Sequence, residues 1–153
     1  MKNIVIFISL LSCLSSVYAQ KKQNAVQQTI ETFFDGMHKA DTLLISTTLH
    51  TECQLSSVLN DSKGETFIRK ESISNFKRSI ANKPSNVTFE ERILNYDIKI
   101  DANMAIAWTP YHFYLNEKFL HCGVNVFVLA YLEDQWKILS ITDTRRKEEC
   151  PKE

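Results

Sequence analysis

The chain is poor in what makes linkers, tethers and nucleic-acid surfaces. It has only three glycines and three prolines in 153 residues. No Gly/Pro-rich stretch joins two domains, and the length suits one ordinary domain. Neither sign of charge predominates, with 18 basic side chains against 18 acidic ones. A protein that replaces counterions on phosphates needs a basic field, so the balance argues against nucleic-acid binding and against a polybasic membrane surface. The cysteines contain no CxxC, which leaves zinc-ribbon and thioredoxin-type sites without support. No cofactor motif, internal repeat or low-complexity tract is present, and no cofactor is expected. Long hydrophobic runs are also missing. The longest, Ile4 to Leu14, is interrupted by Ser9, Ser12 and Cys13 and falls short of the roughly 20 apolar residues a membrane span takes.

That short run lies between Lys2 and the small-residue end Val17-Tyr18-Ala19, the pattern of a cleaved signal peptide. Residues 1–19 are therefore set aside, with Gln20 the first mature residue and 20–153 a single domain. The expected product is exported, periplasmic or secreted, with no stable membrane insertion after cleavage. The alternatives are an uncleaved anchor and lipid attachment at Cys13, whose box Leu11 fits poorly. The mature chain keeps Cys53, Cys122 and Cys150. An oxidising compartment permits a disulfide, and the odd number leaves one thiol free or paired between chains.

Apolar residues at helical spacing (Val26, Ile30, Phe33, Phe34, Met37) predict a helix over 24–39. Asp41 is placed to cap a short second helix carrying Leu43, Leu44 and Ile45. A strand over 52–59, a turn over 60–64 and a return strand over 65–68 make a hairpin. A third helix over 70–82 shows Ile73, Phe76 and Ile80 on one face and stops before Pro84. From Val87 the pattern is four long strands, 87–100, 104–115, 119–132 and 136–144, joined by turns of a few residues and therefore antiparallel. Helices first and a meander last indicate an α+β fold with helices on one face of a curved, mainly antiparallel sheet.

This order of elements resembles the nuclear-transport-factor-2-like (NTF2-like, cystatin-like) fold, a cone of curved sheet closed by helices. More narrowly it resembles the small exported bacterial members that include the lumazine-binding-like and SnoaL-like proteins. The resemblance rests on Ile30-Glu31-Thr32-Phe33-Phe34-Asp35-Gly36-Met37, on Leu49-His50 at the first strand, and on Trp136-Lys137-Ile138. It rests also on His121-Cys122-Gly123-Val124-Asn125 with Phe127, and on Asp143-Thr144-Arg145-Arg146. It implies a cavity and fixes no activity, since the superfamily contains isomerases, dehydratases, cyclases and non-catalytic binders.

Candidate cavity residues come from the long strands. With Asn116-Glu117 as a two-residue turn, Trp108 faces Asn125 and His112 faces His121, with Tyr114 beside them; a three-residue turn moves one set to the other face. The first register places an aromatic wall against an amide and two imidazoles, as in ligand pockets. Asp143 and Arg145 share one strand face, where the guanidinium could clamp a carboxylate or phosphate or simply form a surface ion pair. His112 and His121 lack a third metal ligand, so no metal is expected. With a last hairpin turning at Glu133-Asp134, Cys122 lies near Arg145, and a tail that folds back closes a Cys122–Cys150 bridge.

The leading reading is a non-catalytic protein binding a small aromatic or amphipathic ligand. A second is an isomerase- or dehydratase-type enzyme, with Asp41, Asp97 or Asp143 as base and Tyr96, Tyr111 or Tyr114 as oxyanion donor. A strongly raised carboxylate beside a cavity tyrosine would favour it. A third is a homodimer formed through the sheet, which Val124, Val126, Val128 and Ile141 would suit.

Overall fold

The computed structural model describes residues 2–152, with side chains from Ala19 onward. The leader assigned to residues 1–19 thus falls almost wholly on side chains outside the described residues. The helix expected over 24–39 is the last part of α1, Lys2–Lys39. Its stripe of Val26, Ile30, Phe33, Phe34 and Met37 is buried, each side chain covering the same face because they recur every three or four residues. Ala40, at positive φ, ends the helix, and α2 follows at Thr42–Thr48. Asp41 caps it, its carboxylate accepting from the Leu43 and Leu44 N–H groups. The joint is tight because Gly36 has no side chain: a Cβ there would stand 2.7 Å from Ile45.

The rest is β1 (Leu49–Asn60), β2 (Thr66–Glu71), α3 (Ile73–Ala81, capped by Ser72), β3 (Phe89–Ile93), β4 (Asp97–Asp101), β5 (Met104–Leu115), β6 (Lys118–Leu132) and β7 (Gln135–Thr144). The strands form one open sheet in the order β2-β1-β7-β6-β5-β3, with β4 also paired to β5. Every pairing is antiparallel except β1 with β7. Helix α1 lies across the inner face, touching β3, β4 and β7. The core there is closed by Ala105, Ala107, Phe127, Leu129, Trp136 and Ile138.

Two expectations are corrected. The single strand over 87–100 is two strands. Pro110, midway along β5, has no N–H to give the neighbouring strand. Its carbonyl accepts from Leu94, and the pairing slips by one residue between Ile93↔Tyr111 and Asp97↔Trp108.

The second concerns register. Asn116-Glu117 is a two-residue turn at positive φ, and Leu115 does face Lys118 and Tyr114 face Phe119. Leu120 is then an extra residue in β6, so Phe113 faces His121 and the remaining pairs are displaced by one. His112 consequently faces Cys122, Trp108 faces Val126, and Asn125 faces Thr109. A one-residue slip moves side chains to the opposite face of the sheet, and that decides which residues reach the cavity.

Candidate functional site

A cavity of about 380 Å³ lies between the inner face of the sheet and the helices. Its apolar wall is Phe33, Phe34 and Met37 of α1, Phe76 and Ile80 of α3, Phe89, Phe113 and Ile141. The rings pack on one another, with Phe33 stacked on Phe76 (centroids 5.8 Å) and edge-on to Phe34 (5.3 Å). Such offset and edge contacts hold aromatic side chains firmly.

The polar groups cross the cavity as a belt, because strand pairing aligns them. Arg69 faces Ser57 across β2–β1, Ser57 faces Asp143 across β1–β7, and Asp143 faces Asn125 across β7–β6. Asp143 accepts from Ser57 Oγ at 2.5 Å and from Arg145 Nε at 2.6 Å. The belt ends at Glu91, whose Oε1 accepts from Asn125 Nδ2 at 2.6 Å and whose backbone N–H donates to His38 Nε2 at 2.9 Å. The Tyr111 hydroxyl donates to the Thr144 carbonyl at 3.0 Å and approaches Asp143 and His121 at 3.4 Å. The ring of His121 stacks on Phe113, with centroids 5.0 Å apart.

Burial dominates the protonation states, since removing a group from water penalises its charged form. It pushes the Glu91 carboxyl up to about 7, with the Asn125 bond working against the rise and the Asp143 charge adding to it. It pushes His121 down to about 4, helped by Arg145, so the ring is neutral at ordinary pH. It pushes the Tyr111 hydroxyl up, with Glu91 and Asp143 adding to the effect, so that hydroxyl stays protonated.

Of the residues proposed from sequence, His121, Asn125, Asp143 and Arg145 line this cavity. Trp108, His112 and Tyr114 do not: they alternate with Tyr111 and Phe113 onto the outer face of β5, and the extra residue in β6 carries His121 and Asn125 away from them to the inner face. Trp108 is exposed there. His112 meets the carbonyl of Pro151 through Nε2 at 2.9 Å. Tyr114 lies under the Arg92 guanidinium, 4.1 Å from its ring centre. The other base candidates also lie outside it: Asp41 caps α2, and Asp97 is exposed near Lys99. Tyr96 is not among the lining residues, whereas Tyr111 is. Cys122 and Cys150 form a disulfide that fastens the C-terminal tail near His112. Cys53 is a free, buried thiol. Among the described residues no group of His, Cys, Asp and Glu could hold a metal ion, and no helix is long and apolar enough to cross a membrane.

Glu91, Ser57 and Arg69 were not anticipated. Glu91 could have been found, because Phe89-Glu90-Glu91-Arg92-Ile93 places it between two apolar residues of the same strand face, so a carboxylate had to point inward. Ser57 and Arg69 become visible only once β1 is known to lie between β2 and β7.

Chains with this architecture are known. An NTF2-like protein of unknown function from Shewanella baltica superposes with a TM-score of 0.62 at 17% identity, over 86% of this chain and 98% of that one. A "putative dehydratase" of the NTF2-like family from Streptomyces avermitilis gives 0.63 at 13% identity, over 84% and 98%. The beta subunit of a "putative aromatic-ring-hydroxylating dioxygenase" from Novosphingobium aromaticivorans gives 0.68 at 13%, over 85% and 92%. At such identities these likenesses establish the fold alone. No curated protein matches the chain. The structural likenesses give the chain the NTF2-like fold; a family model described as "putative lumazine-binding" matches residues 21–142, nearly the whole of the α+β unit, and the chain belongs to that family.

Proposed function

We propose that the protein binds a small aromatic molecule in its cavity. The observation that carries this is an enclosure of about 380 Å³ with stacked aromatic walls and its polar groups gathered in one belt, the usual constitution of a small-molecule site. The family description supports a small-molecule ligand. The proposal extends to location and assembly. Export is supported by the leader pattern and by a disulfide, a bond that persists in oxidising compartments. A homodimer is supported by the exposed apolar side chains Met104, Ile106 and Trp108 on the outer face. Native mass spectrometry of protein purified from its own host tests the binding reading. A small-molecule mass that is retained under gentle conditions and lost on denaturation is expected; a bare polypeptide in every preparation counts against it.

One observation favours a second reading, proton-transfer catalysis. Glu91 is a cavity carboxyl titrating at about 7, where a general acid or base works best, and Tyr111 lines the same cavity. The Glu91 titration has a stability signature. The folded chain holds a proton on Glu91 that the unfolded chain releases near 4.5. The stability this contributes is fully present below that pH and is lost as pH rises through about 7. His121 acts in the opposite sense, its contribution being present above 6.5 and lost as pH falls through about 4. The variant E91Q removes the first effect and keeps the second. In urea unfolding, the stability of E91Q minus that of the parent is expected to grow as pH rises from 4.5 to about 7. A difference flat across that window would show that Glu91 titrates normally.

A further inference from the structure

We infer that the cavity's ligand is an aromatic acid, with its anionic group held at the mouth by Arg69 and Arg145; this rests on the small-molecule reading above.

Charge and open donors along the belt select an anion. Asp143 is already compensated, with Arg145 Nε on one oxygen and the Ser57 hydroxyl on the other. The Arg145 guanidinium also reaches Ser57 Oγ from Nη2 at 3.4 Å, yet 39% of its side chain remains accessible. A guanidinium has five N–H groups in a planar fork, so donors remain for a further acceptor. Glu91 at the far end titrates at about 7 and is in part neutral at ordinary pH. Arg69 is different. It lines the cavity and shares a strand-to-strand row with Ser57, neighbouring strands lying about 4.8 Å apart, but among the described residues no hydrogen bond or ion pair engages its guanidinium. Glu71 lies two residues along the same strand and also lines the rim, and both side chains are exposed, so water screens the two charges from one another. Arg69 therefore holds its hydrogen-bond donors open at the mouth of an aromatic cavity. A carboxylate or sulfonate on a planar ring would leave its ring against Phe33, Phe76 and Phe113 and place its oxygens between two guanidiniums. That is the planar, paired-donor recognition for which arginine is suited and lysine is not. A cationic ring would meet Arg69 instead and be repelled.

Two fluorescent probes with the same anilinonaphthalene framework separate the possibilities: anilinonaphthalene sulfonate and its uncharged parent, phenylnaphthylamine. The purified protein is expected to bind the sulfonate about ten-fold more tightly, worth roughly 1.4 kcal/mol. R69Q should reduce sulfonate affinity about ten-fold while changing that of the uncharged amine less than two-fold. Because Arg69 is exposed on an edge strand, the substitution leaves folding intact. S79W, placed on the cavity side of α3 where Ser79 is exposed, should weaken both probes by blocking the mouth. A sulfonate that binds no better than the amine, or an R69Q loss equal for both probes, overturns the aromatic-acid inference while leaving the cavity reading intact. Failure of S79W to weaken either probe means that neither occupies the cavity, and both readings fall together.

Discussion

Gly123→Ala is expected to destabilise the protein by about 3 kcal/mol or more, at the upper end of what overpacking costs. The reason is a close approach of two backbones. A Cβ at position 123 would stand 1.8 Å from the Thr144 carbonyl oxygen and 2.8 Å from its carbon, so the end of β7 itself would have to move. The hydrogen bonds of that segment hold it there. The Thr144 carbonyl turns over Gly123 and accepts from Tyr111, while the Val124 N–H is met by the Thr144 hydroxyl. Thr144 lies between Asp143 and Arg145, the two residues that meet Ser57 in the belt. The substitution should therefore damage stability and probe binding together. Urea unfolding would check it; a loss under about 1 kcal/mol would mean that the strands part more easily than their packing indicates.

Cys150→Ser is expected to cost about 3–4 kcal/mol, the loop-entropy value for cysteines separated by 28 residues. Reducing the parent protein should produce the same loss, and reductant should do nothing further to the variant. Cys53 will not take over the bridge. It is buried on β1 and its thiol is pushed up to about 11 by burial, which leaves little of the thiolate that attacks disulfides. The effect should be felt at the tail, where Arg146 pairs with Cys122 and His112 meets Pro151. A reductant-insensitive unfolding midpoint in the parent would show that the bridge contributes nothing.

Much of this fold is legible in the sequence because each element carries its own local signal. The α1 stripe, the Asp41 cap, the Asn60–Gly64 turn and the boundaries of β5, β6 and β7 follow from periodicity and turn chemistry. What failed was less local. The Asn116-Glu117 hairpin is legible only as a two- or three-residue turn, and a single extra residue, Leu120, inverts the relative faces of its strands with nothing in the composition of β6 to mark it. Pro110 did carry a signal, the lost N–H, whose consequence falls on a different strand. The belt Arg69–Ser57–Asp143–Asn125 depends on the parallel pairing of β1 with β7, a contact between residues some 86 positions apart.

Strand β2 ties two properties of this chain to one side chain. All six of its residues are exposed, and it forms an edge of the sheet. Open edges recruit other strands and seed aggregation unless charges guard them. Here the guard is Arg69-Lys70-Glu71, so a side chain that selects the cavity's occupant also protects the edge. Drift at position 69 toward an apolar residue, which would retune the mouth for a neutral molecule, would at the same time remove a barrier to fibrous self-association. Ligand preference and colloidal behaviour are thereby coupled at one position, and loss of the charge at 69 would leave Lys70 and Glu71 to guard the edge.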